Sequence, residues 1–170
     1  MECKIFISST FKDMQNERDL IRNEILPEIE NYAMKYGITV NIVDLRWGIN
    51  TDDCEDSDEA SIKILKTCFD EITLCKPFFI GIVGERYGWI PSIDSIKRSI
   101  DPGFSNKLNF EEKSVTEYEM DFALNTYANE EASYIFCLRN SITGQLSQKE
   151  EDIYFAKTEE DKIRIKKLKE

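Results

Sequence analysis

Four short stretches of this chain carry side chains suited to holding and cleaving a nucleotide-sized ligand. Ser8, Ser9 and Thr10 supply hydroxyls just ahead of a helical pattern, and free N–H groups at a helix start hold phosphate. Asp44, Arg46 and Trp47 stand together in a second stretch, where a planar guanidinium can clamp phosphate and an indole can stack on a base. Glu85, Arg86 and Tyr87 sit between Gly84 and Gly88 in a third, followed by Trp89. Glu117 and Glu119 supply carboxylates in the fourth. The chain has no histidine. Ser-His-Asp and Cys-His catalysis and the usual zinc chemistry are therefore excluded. Acid–base work falls to Asp, Glu, Lys, Tyr or Cys.

The elements that must position these groups alternate. Residues 3–8 read as a first strand. A helical pattern follows from about Asp13 to Lys35, with Leu20, Ile21, Ile25, Ile29, Tyr32 and Ala33 at helical spacing. Thr10 with Asp13 resembles a capping box, Pro27 predicts a kink or a restart, and Gly37 predicts the helix end. Residues 38–45 read as strand two. Asp52 to Glu59 reads as an acidic loop or helix start, and a helix follows over about 61–75. The apolar run 77–83 reads as strand three, ending in the Gly84–Trp89 turn. Residues 92–113 read as a long irregular insertion, a length usual for lids or mobile segments. Ser114 and Glu117 predict a capped helix to about Asn129. Strand four spans 132–138, and a charged helix pattern fills 159–170.

This order predicts an α/β fold: a parallel sheet with helices on both faces. A flavodoxin-like sheet has a fifth strand. The expected organisation is thus an α/β domain over 1–140, then a polar loop and charged helix over 141–170 leading to a missing fifth strand or to downstream domains. Ligands of such sheets bind outside the carboxyl ends of the strands. That is where the four stretches fall.

Composition narrows the function. A net charge of −11 disfavours a nucleic-acid polymer but not a single nucleotide. No stretch approaches the length of a membrane helix, and the N-terminus reads as a strand, so a cytoplasmic location is expected. The five cysteines (Cys3, Cys54, Cys68, Cys75, Cys137) form no CxxC pair and read as free buried thiols. No metal site and no tightly bound cofactor is expected.

Four motifs in order carry a resemblance: Phe6-Ile7-Ser8-Ser9-Thr10-Phe11-Lys12-Asp13-Met14, Asp44-Leu45-Arg46-Trp47-Gly48-Ile49, Gly84-Glu85-Arg86-Tyr87-Gly88-Trp89 and Ser114-Val115-Thr116-Glu117-Tyr118-Glu119. From about residue 4 to 138 the chain resembles the TIR-like domain found at the N-terminus of NACHT and other STAND NTPases, including telomerase-associated and nephrocystin-type proteins. The wider TIR and nucleoside deoxyribosyltransferase group places a catalytic glutamate on the helix after strand three. Glu119-Met120-Asp121-Phe122-Ala123 fits that pattern, with Glu117 the second choice. The resemblance implies a flavodoxin-like, TIR-like fold and an effector or signalling role in an immune-type STAND protein, antiphage defence included. It implies NAD+ or a related nucleotide as substrate, with Glu119 steadying the ribosyl cation as the N-glycosidic bond breaks. It also implies self-association for activity and downstream NACHT domains as partners. Insertion 92–113 departs from compact TIR enzymes.

Competing readings stand beside these. Glu119 can serve the helix macrodipole without catalysis, and Glu117 can cap Ser114. Asp44 and Arg46 can form an internal ion pair, and the tryptophans can be packing residues. Two further functions share the fold: a non-catalytic protein–protein interaction module, and a nucleoside deoxyribosyltransferase.

Overall fold

Strand and helix alternate through the computed structural model, which describes residues 1–45, 58–106, 108–127 and 132–170. The order is β1 (Glu2–Ser9), α1 (Gln15–Leu20), a π-helical turn (Ile21–Ile25), α2 (Leu26–Met34), β2 (Thr39–Val43), α3 (Asp58–Leu74) and β3 (Phe78–Val83). Then come α4 (Ile93–Ser99), α5 (Pro102–Ser105), α6 (Val115–Tyr127), β4 (Ser133–Leu138), α7 (Gln148–Tyr154) and α8 (Glu159–Leu168). Among the described residues the strands form one parallel sheet in the order β2-β1-β3-β4, consistent with a flavodoxin-like fold. The chain reverses direction between β1 and β3, so their carboxyl ends border the crevice where such sheets bind ligands.

Alternation along β1 divides the core. Phe6 points to one face and stacks on Phe79 of β3, ring centroids 5.8 Å apart. Leu65, Phe69 and Ile72 of α3 join that cluster, as do Tyr118, Phe122 and Tyr127 of α6. Ile7 points to the other face and packs with Met14 and Ile82. Both faces of a parallel strand must be covered by helices, which explains the continuous apolar reading of β3.

One local expectation holds and two change. The first helix restarts at Pro27, within the first turn of α2, after the π-helical turn. Leu20, Ile25, Ile29 and Tyr32 face solvent, because the covered side of this continuous helical run is narrow and Ala33 is the buried residue of α2. The Thr10–Asp13 pair does not cap α1. The Thr10 hydroxyl donates to the Asp13 carboxylate instead, and α1 begins after Met14 with no side-chain cap.

The 92–113 insertion is built, not irregular. Ser92 caps α4 and Asp101 caps α5, each accepting a backbone N–H. Ile96, Ile100 and Leu108 enter the main core, and Phe104 meets Phe122 edge-on. Its short apolar spacing carries little signal in the sequence, since neither helix exceeds two turns. The C-terminal helices also belong to the body: Ile165 of α8 is buried in the main core cluster.

Gly84 ends β3 where no side chain fits. A Cβ there would stand 2.6 Å from Arg139 Nη2 and 2.7 Å from Asp13 Oδ2, and closer still to Met14 Cε. Asp13 and Met14 are fully buried and cannot yield. We expect Gly84→Ala to lower unfolding stability by about 1–3 kcal/mol, as overpacked sites do. Urea denaturation measures this, and an unchanged midpoint would refute the close packing.

Candidate functional site

Ser8 and Ser9 end β1, so their side chains leave opposite faces of the sheet. Ser8 donates to Glu119 Oε2 at 2.5 Å. The Cys68 thiol of α3 also bonds this carboxylate. Glu119 is 7% exposed. Burial pushes its carboxyl above the ordinary range, against the pull of the Ser8 and Cys68 bonds and the Arg18 charge. The Cys68 thiol is raised as well, by burial first and by Glu119 second.

Ser9 serves the other face. Arg18 of α1 is buried, and its Nε donates to Ser9 Oγ at 2.6 Å while Nη2 donates to the Ser9 carbonyl at 2.9 Å. Its Nη1 pairs with Asp44 just past β2. The guanidinium also lies 5.3 Å over the Phe11 ring. Among the described residues Asp44 thus has an internal partner in Arg18, and the expected pair with Arg46 lies outside them. Arg46 and Trp47 lie outside the described residues.

Glu117 and Glu119 separate, since two residues along a helix turn about 200°. Glu117 accepts from the Tyr87 hydroxyl at 2.5 Å and lies 3.7 Å from Lys113 Nζ. Its backbone N–H donates to Ser114 Oγ at 3.3 Å, half of the expected capping box. Burial, then the bond to Glu117, raises the Tyr87 phenol. Gly88 turns the chain after Tyr87 with φ 92°, a left-handed conformation that suits glycine.

Glu85 and Arg86 turn to the C-terminal segment. Glu85 Oε1 accepts from Lys169 Nζ at 2.6 Å, and the Glu85 carbonyl accepts from the Ala156 N–H at 2.8 Å. Arg86 Nη1 donates to the Asp152 carbonyl at 3.0 Å. The described structure therefore brings Ser8 to Glu119 and Ser9 to Asp44 through Arg18. It ties Glu85 and Arg86 elsewhere, and it leaves Thr10 buried against Asp13.

Sequence reasoning missed Arg18, Cys68 and Arg139. Arg139, just past β4, donates to the Asp13 carbonyl at 2.7 Å and pairs with Asp13 Oδ2 at 3.1 Å and Glu17 Oε1 at 3.2 Å. Arg18 lies on an otherwise polar helical stretch, Gln15-Asn16-Glu17-Arg18-Asp19, with no local mark of burial. A basic residue directly behind the strand end was the available signal.

Two outcomes follow. Arg18→Met would take the guanidinium away from Asp44 and Ser9; breaking a buried pair in this way costs about 3–5 kcal/mol, read by urea denaturation. Glu119→Gln tests the buried charge. Its raised folded-state pKa means the native state keeps a proton that the unfolded chain releases. Stability from that proton is complete below the ordinary value of 4.5 and is lost as pH rises through the folded-state value. Glu119→Gln should therefore be more stable than the parent at neutral pH, with the gain shrinking on acidification. Denaturation midpoints across pH check this, and a pH-independent loss would contradict it.

The family model described as "Domain of unknown function (DUF4062)" matches residues 4–170. A TPR repeat-containing protein of Dictyostelium discoideum is 30% identical over 179 residues, 99% of this chain and 10% of its own length. Mouse telomerase protein component 1 is 38% identical over 88 residues, 52% of this chain and 3% of its own. Human NACHT and WD repeat domain-containing protein 2 is 31% identical over 88 residues, 50% of this chain and 5% of its own. The chain thus spans a tenth or less of these relatives, one of which is by name a NACHT protein. No solved structure matches it. No helix among the described residues is long and apolar enough to cross a membrane. With nearly its whole length matched, the chain belongs to the DUF4062 family, a domain that occurs in NACHT-containing proteins.

Proposed function

We propose that this domain is an N-terminal effector or signalling module of a NACHT-type STAND protein, and that its Glu119 crevice cleaves the N-glycosidic bond of NAD+ or a related nucleotide. One observation carries the reading: a buried carboxylate bonded to Ser8 at the carboxyl end of β1, beside the point where the strand order reverses. Cleavage builds positive charge on the ribose as the base departs. Burial disfavours the ionised carboxylate of Glu119, whereas a ribosyl cation beside it would favour the charged form. That interaction strengthens toward the transition state, which is what catalysis requires. Ser8 fixes the carboxylate's orientation, and water then takes the sugar. Arg46 and Trp47 are proposed to hold the phosphate and the ligand's rings.

A second reading rests on a different observation. Leu20, Ile25, Ile29 and Tyr32 of the first helical run, and Ile135 and Leu138 of β4, are exposed. Apolar surface of this kind marks interaction sites. On that reading the domain self-associates without chemistry, and Glu119 is a satisfied core carboxylate.

NAD+ consumption by the concentrated chain, beside Glu119→Gln, separates the two. The catalytic reading expects turnover that falls roughly 100-fold or more in the variant, a usual loss for a group acting on the reacting atoms. Equal turnover in the variant would overturn the role of Glu119. No turnover by a chain shown to self-associate would leave the interaction module standing.

A further inference from the structure

A second site lies away from Glu119. The turn after β3, the loop after β4 and α8 enclose a cavity of about 400 Å³, within the range of small-molecule sites. Lys162, Lys166 and Lys169 line it at helical spacing, so one face of α8 contributes three lysines to its wall. Ser141, Phe155, Ala156, Ile165 and Glu85 complete the lining, and the Ser141 hydroxyl donates to Glu85 Oε1 at 3.3 Å. The Glu85 carboxylate is already neutralised by Lys169 at 2.6 Å. Lys162 reaches back to Glu159, but both partners are exposed, and such pairs exchange readily. Lys166 has no ion-pair partner among the described residues. A cationic wall stands here in a chain whose net charge is −11.

We propose that this cavity binds a phosphomonoester with a flat or apolar organic part. Ammonium groups suit phosphate as point charges that several oxygens share. Lys162 and Lys166 take the phosphate with the Ser141 hydroxyl. Phe155 and Ile165 seat the organic part. Such a ligand joins α8 to the loop after β4, and so steadies the docking of the C-terminal helix.

Phenyl phosphate and inorganic phosphate are the probes, titrated separately into the full chain by calorimetry. The expected result is saturable one-site binding of phenyl phosphate, about tenfold tighter than phosphate because the ring is seated. The Lys162→Ala/Lys166→Ala pair should lower that affinity about tenfold or more, and Lys157→Ala, outside the cavity, should leave it unchanged. Lys162 and Lys166 are exposed, so the paired variant keeps its fold, checked by an equal ligand-free Tm. No saturable binding, or equal affinity in the paired variant, overturns the site. Phosphate binding as tightly as phenyl phosphate overturns the seat on Phe155. Glu119→Gln should bind phenyl phosphate as the parent does, so this site and the Glu119 reading fail independently.

Discussion

Two charged side chains, Glu119 and Arg18, are buried on opposite sides of the end of β1, each held by one of two consecutive serines. Strand geometry sets this arrangement. Successive side chains point to opposite faces, so Ser8 and Ser9 cannot serve the same partner. One hydroxyl donates to a carboxylate on α6, and the next accepts from a guanidinium on α1. Burial of an ion is costly unless its bonds are supplied. The two helices are therefore located by β1 through polar bonds as well as by apolar packing. Slipping β1 by one residue would exchange Ser8 for Ile7 beneath Glu119 and deprive that carboxylate of its hydroxyl partner.

Much of this order was legible in the sequence. Short runs of β-branched and aromatic side chains, divided by stretches of helical spacing, suffice to predict a parallel sheet, and the observed sheet is parallel. Ser8 with Glu119 was legible as a shared location, because both follow from where strand ends fall. Their direct bond was not, since 111 residues separate them. Arg18 and Arg139 were illegible for a related reason. Long polar side chains are read as solvated, and only the fold reveals that Asp44, Asp13 and Ser9 wait beside them. The solvent-facing stripe on α1 and α2 misleads in the opposite sense, since apolar periodicity reports a helix but not what covers it.

Gly84 and Gly88 show two different uses of glycine in one turn. Unusual backbone angles are the ordinary use of glycine, and Gly88 has them, with φ 92°. Gly84 does not. It is small because the Asp13–Arg139 pair and Met14 press against its Cα from β1 and β4. The third strand therefore leaves the sheet through a space that three neighbouring side chains fill. That exit sets where Glu85, Arg86 and Tyr87 begin.

From that exit the turn divides its contacts in two directions. Glu85 and Arg86 hold the C-terminal segment through Lys169, Ala156 and Asp152. Tyr87 holds the start of α6 through Glu117, and Arg164 of α8 lies 5.7 Å over the Tyr87 ring. Glu117 is thus spent on placing the helix, and Glu119 lies two residues farther along it. This division explains why two carboxylates so close in sequence differ so much in surroundings. One is at the rim, bonded to a phenol and near Lys113. The other is buried, where a serine and a thiol bond it and the nearest charge acting on it is the Arg18 held beneath β1. A site built for chemistry and a core built for stability make opposite demands on such a group. The rigid attachment of α6 at Tyr87 allows the domain to keep Glu119 in place despite the cost of its charge.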